Sequence, residues 1–139
     1  MINSLKYIST RGSAPELSFK DVIFEGLASD GGLYVPKHWP CLSNELIDSF
    51  SSMTYQEIAY EVISPYIDST LSDEDLKAII KKSYSCFDNT EITPLTKLDN
   101  KNYLLELYHG PTYAFKDVAM QFISQLMNLI VNAFYSTKE

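Results

Sequence analysis

The segment that most narrows what this chain can fold into runs from Tyr103 to about Tyr135. Tyr103–Tyr108 (YLLELY) is a mostly apolar run of strand length. Such a run suits a strand covered on both faces, and Glu106 within it then needs a partner. His109–Tyr113 follows as a loop with a Gly110-Pro111 break, and a long amphipathic helix runs from there to about Tyr135. Strand, Gly-Pro loop and helix make half of a βαβ unit. The 139 residues stop where the second, parallel strand is due. The segment is therefore expected to be the start of an α/β domain, cut short.

Upstream the pattern is mostly helical. Lys6–Thr10 reads as a short strand and Arg11–Pro15 as a turn. Ser18 begins a helix, with Asp21 placed to meet free backbone N–H groups. Val22, Ile23 and Leu27 have helical spacing, Gly26 lies near the end, and Asp30-Gly31-Gly32 makes a turn. Leu33–Val35 is a short extended piece stopped by Pro36. Ser43 caps a helix through Phe50 that buries Leu46, Ile47 and Phe50. Thr54 and Glu57 form a T-x-x-E capping box, with Ile58, Val62 and Ile63 facing inward and Pro65 ending the helix near Ser64. Ser72 and Asp75 start another helix through about Tyr84, with Leu76, Ile79 and Ile80 as its face. Thr93-Pro94-Leu95 reads as a connection and Asp99–Asn102 as a turn. The expected division is a mostly helical α+β domain over 1–92 and the first strand, loop and helix of an α/β domain over 93–139.

Composition removes several function classes. The chain carries 18 acidic and 11 basic residues, a formal charge of −7. A nucleic-acid surface needs clustered Lys and Arg, so no nucleic-acid partner is expected. Gln121, Ser124, Gln125, Asn128 and Asn132 interrupt the longest apolar run, which is too polar to span a membrane. Cys41 and Cys86 stand apart with no CxxC spacing, and there are only two His. A disulfide framework and a metal site are not expected, and two unpaired thiols fit a reducing compartment. The opening MINSLKYISTRG has no apolar core of a signal peptide, so the expected location is cytoplasmic.

Lys116 is the residue with unusual chemistry. It stands at the start of a helix, where the first-turn N–H groups disfavour an ammonium. Burial would push the same way, toward the neutral amine that Schiff-base chemistry requires. Asp117 beside it suits the helix N-terminus and would partly oppose that shift. Phe115 can supply an apolar wall, while Gly110 and Pro111 let the backbone pass close to a flat ligand. A lysine near a helix start is more often a solvated surface residue. His109 is open in the same way: a hydrogen-bonded structural residue, or a general base.

Two separated stretches carry a family resemblance. LELYHGPTYAFKDVAMQF looks like the cofactor-lysine segment of the threonine synthases, and YISTRG with SFKDVIFEGLASDGGLYVP resembles that family's N-terminal domain. The resemblance implies an N-terminal threonine synthase domain joined to the start of a fold type II pyridoxal-phosphate α/β domain. It implies pyridoxal 5'-phosphate as cofactor and the conversion of O-phosphohomoserine and water to threonine and phosphate. Lys116 matches the lysine that bonds the cofactor and shuttles protons, and Phe115 and Asp117 match flanking positions with supporting cofactor-binding roles. Arg11, in STRG, is a candidate for a substrate phosphate or carboxylate, and equally for a structural salt bridge.

The chain also departs from the family pattern. No Gly/Ser/Thr-rich loop able to cradle the cofactor phosphate is present, and Asp30-Gly31-Gly32 is too short and acidic to serve. The chain alone is therefore expected to be inactive, with an apolar face that self-association would cover. Two other readings stay open: a non-catalytic binding module derived from the fold, and another fold type II pyridoxal-phosphate lyase. The second is weaker because the N-terminal match is particular to threonine synthases.

Overall fold

The computed structural model describes residues 5–67 and 70–136. Met1–Ser4 of the opening segment thus lie outside the described residues. The chain divides into two compact units. One comprises residues through Ser52 together with Tyr60–Leu76, and the other comprises Met53–Ala59 and the chain from Lys77 onward.

In the first unit, strand β1 (Tyr7–Ser9) pairs antiparallel with β2 (Tyr34–Pro36), Ile8 opposite Val35. Helix α1 (Phe19–Glu25) is closed at both ends as its sequence dictates. Ser18 accepts the Asp21 N–H, and Gly26, at φ +72°, donates its N–H to the Val22 carbonyl. Only a residue at ease in left-handed backbone stops a helix this way. Tyr7 is buried, and its hydroxyl donates to the Tyr66 carbonyl at 2.6 Å. Helix α2 (Asn44–Ser49) is capped by Ser43 as expected. It corrects the expectation that Leu46, Ile47 and Phe50 are buried: Leu46 and Phe50 are half-buried and Ile47 is 49% exposed. A six-residue helix presents one narrow face, and adjacent Leu46 and Ile47 cannot both occupy it.

Helix α3 (Tyr55–Ile63) opens on the capping box. Thr54 N–H donates to Glu57 Oε2 at 2.7 Å, and Glu57 N–H returns to Thr54 Oγ1. A 3-10 turn over Ser64–Tyr66 contains Pro65, so the helix ends where proline forbids its continuation. Val62 is 40% exposed, against expectation. The buried residue of α3 is Ala59, and an inward face centred there and on Ile63 leaves Val62 on its flank. Helix α4 (Asp73–Tyr84) has acidic residues in its first turn and Lys81 and Lys82 in its last, matching its dipole. Leu76, Ile79 and Ile80 are buried as read, joined by Ser83 and Tyr84.

In the second unit the core gathers Ile79, Ile80, Tyr84, Ile92, Leu126 and Ile130. Here the structure corrects the reading of YLLELY. Strand β4 is only Tyr103–Leu105, and it pairs antiparallel with β3 (Leu95–Lys97), whose first residue, Leu95, the sequence reading placed in a connection. The cause is the turn between them. Asp99 Oδ1 accepts the N–H groups of Lys101 and Asn102, at 2.8 and 2.9 Å, folding the chain back after Leu98. A turn that tight makes adjacent segments pair antiparallel. All six hairpin residues are exposed. Helix α5 (Asp117–Ser136) then runs for 20 residues, with Leu126 and Ile130 buried four apart on one face.

Candidate functional site

The loop between β4 and α5 is pinned at both ends. At its start, His109 Nδ1 lies 2.7 Å from Asp88 Oδ1, and Nε2 lies 2.8 Å from Glu106 Oε2. Two carboxylates on two ring nitrogens are both satisfied only when both nitrogens carry hydrogen, so the arrangement favours the imidazolium. The Glu106 bond first, then that to Asp88, raises the His109 pKa above its ordinary 6.5. Glu106 finds the partner its position demanded. The Thr96 hydroxyl donates to it at 2.6 Å, and that bond and His109 hold its carboxyl below the usual range. His109 is therefore engaged as a cation, which excludes it as a ready general base in this arrangement.

At the far end, Asp117 is buried at the head of α5. Thr112 donates its N–H to Asp117 Oδ2 at 2.8 Å, and its hydroxyl lies 2.9 Å from both carboxylate oxygens. Burial pushes the Asp117 carboxyl up, but the bonds from Thr112 and Gln121 outweigh it and hold the pKa below the ordinary value. Gly110 makes this packing possible. A Cβ there would stand 2.5 Å from Asp117 Oδ2 and 2.8 Å from its Cγ. The close neighbour at the Cβ position of Gly110 is thus Asp117. Between these anchors Tyr113 adopts φ +60°, an uncommon conformation for a residue with a side chain.

Lys116 occupies the position just before α5, and its carbonyl accepts the Met120 N–H at 2.8 Å. Its side chain is exposed. The Asp117 carboxylate is committed to Thr112. No salt bridge to Lys116 occurs among the described residues. Phe115 is 64% exposed beside it. The junction thus presents an amine, an aromatic flank and a rigid backbone.

Arg11 lies in the other unit. Its Nη1 donates to the Asp30 carbonyl at 2.9 Å, over Gly31. Asp30 is the hub of this corner. Ser9 Oγ donates to it at 2.7 Å, and the N–H groups of Gly32, Ser13 and Ala14 at 2.9–3.0 Å. The Ser9 bond leads these in lowering the Asp30 pKa to about 2. Arg11 therefore has a structural bond, to a carbonyl instead of a carboxylate. Sequence reasoning missed Thr112 and Asp88. Thr112, ahead of an acid at the helix head, was a readable signal, whereas nothing in the sequence marks Asp88 as a partner of His109.

Comparisons with known proteins agree on one family. Residues 6–84, more than half of the chain, match the family "Threonine synthase N terminus". The threonine synthase of Pseudomonas aeruginosa is 43% identical over 127 residues, covering 91% of this chain and 27% of that protein. That of Saccharomyces cerevisiae is 45% identical, covering 86% and 25%. Among solved structures, pyridoxal-phosphate-bound threonine synthase from Brucella melitensis superposes with a TM-score of 0.91 at 39% identity, covering 94% of this chain and 28% of that one. The yeast enzyme gives 0.86 at 40% identity. The chain spans about a quarter of the length of these relatives. Its mixed α/β architecture is that of the matching part of the threonine synthases, and the chain belongs to the threonine synthase N-terminus family.

Proposed function

We propose that this chain is the N-terminal segment of a threonine synthase that converts O-phosphohomoserine and water to threonine and phosphate with pyridoxal 5'-phosphate. The observation that carries this reading is the amine of Lys116, solvent-accessible at the head of α5 while its neighbouring carboxylate is bonded elsewhere. Bound there, pyridoxal phosphate would supply an electron sink. Lys116 would hold it and move protons at Nζ. Phe115 would flank the ring, and Asp117 would act through Thr112 to fix the loop that aims Lys116. Arg11 retains guanidinium N–H groups for a substrate anion.

Residues 1–92 form the N-terminal domain in this reading, and 93–139 open the catalytic domain. Leu95 and Leu105, exposed and opposite each other in the hairpin, offer an apolar surface that self-association would cover. No helix among the described residues is long and apolar enough to cross a membrane, and a cytoplasmic location fits. The test is a chimera in which this chain replaces the segment it matches in the Pseudomonas aeruginosa relative. It should release phosphate from O-phosphohomoserine, and Lys116→Ala should abolish release. A chimera that folds and takes up pyridoxal phosphate yet turns over no substrate would contradict the reading. The chain alone should release none.

A further inference from the structure

His109 touches the loop of Lys116 but has no part in the chemistry just described. Its ring joins two elements that the chain separates: Asp88, after α4, and Glu106, after β4. Its carbonyl adds a third tie, accepting the Asp88 N–H at 3.0 Å. Its ring also lies 4.7 Å from that of Tyr108, and its side chain is only 13% exposed. The titratable groups facing it are therefore Asp88, Glu106 and Tyr108. The next residue is Gly110, whose backbone is wedged against Asp117.

We propose that His109 is a positioning residue: as an imidazolium it clamps the start of the Lys116 loop between two carboxylates, so the order of that loop depends on the protonation of one ring. A neutral ring has a single N–H. On deprotonation one of the two carboxylates meets a nitrogen lone pair, and that contact turns from attractive to repulsive. The folded pKa is raised, so the clamp is complete below the ordinary value of 6.5 and is lost as pH rises through the folded value. The consequence for Lys116 rests on the proposed cofactor role, but the clamp itself does not.

The test reads amide hydrogen exchange, corrected for intrinsic rate, at Asp88, Thr112 and Tyr113, with the His109 ring nitrogens followed by NMR in the same samples. Protection should fall as His109 titrates, by about tenfold for each unit separating its pKa from that of the urea-unfolded chain. His109→Arg keeps a two-pronged cation and should hold protection high and flat with pH. His109→Gln should leave it low and flat. If that variant fails to fold, Glu106→Gln should move the midpoint downward. Ile80 in α4 should stay constant throughout. Protection that ignores the His109 titration, or that falls equally in His109→Arg, overturns the proposal. Borohydride trapping of pyridoxal phosphate on Lys116, at one pH, should drop in His109→Gln and recover in His109→Arg. An intact pH response with no trapping at Lys116, in the chimera as in the chain, supports the clamp and overturns the cofactor reading instead.

Discussion

Replacing Gly110 with alanine tests the packing that holds the Lys116 loop. The new Cβ would stand 2.8 Å from Asp117 Cγ, and Asp117 Cβ is nearer still. Carbon atoms prefer about 3.5–4.0 Å, so roughly 1 Å of movement is needed. Asp117 heads α5, and its backbone cannot retreat without shifting a 20-residue helix. Turning the side chain moves Oδ2 and Cγ but not Cβ, so the Gly110 backbone must also give way, and either movement takes the acceptor from the Thr112 N–H. Such overpacking costs about 1–3 kcal/mol, against about 0.4–1 kcal/mol that alanine returns by restricting the unfolded chain. A net loss of about 1–2 kcal/mol is expected in urea unfolding followed by far-ultraviolet circular dichroism, with early exchange of the Thr112 amide. Gly26→Ala is the control. Nothing lies within 4 Å of a Cβ there, so only its φ of +72° is penalised and Thr112 should be untouched. Stability within about 0.5 kcal/mol of the parent, with Thr112 still protected, would refute the reasoning.

Ile80→Ala, at a site only 1% exposed, should cost about 2–5 kcal/mol in the same denaturation assay. Ile47→Ala, at 49% exposure, should stay within about 1 kcal/mol. The Asp30 corner should fail in acid. Its stabilising contribution is complete above the ordinary carboxyl value of 3.8 and is lost as pH falls toward about 2. The exposed Trp39, in the same unit, offers a fluorescence signal for this step. Asp30→Asn should remove that acid dependence, and an unchanged acid profile would contradict the account.

Local chemistry was the legible part of the fold. Ser18, Thr54 and Ser72 cap helices where their spacing says they should, because a cap is settled within four residues. Gly26 and Pro65 stop helices for equally local reasons. The face of α4 also followed from its periodicity. What failed depended on distant partners. YLLELY looks like a buried strand, yet a three-pair hairpin forms because the Asp99 turn decides which segment it meets. Ile47 and Val62 have the spacing of buried residues, but exposure is set by what a helix packs against. Lys116, Phe115 and Asp117 were picked out as candidates through the motif. Their physical relationship was not: Asp117 serves Thr112 and packs on Gly110, leaving the lysine unpaired by it.

The central claim is that Lys116 is the amine that holds pyridoxal phosphate. The direct measurement is borohydride reduction of the chain after incubation with the cofactor, followed by peptide mass spectrometry of every lysine. Lys116 should be labelled well ahead of Lys81 and Lys82 in the last turn of α4. Equal labelling of all three, or labelling that spares Lys116, would contradict the claim.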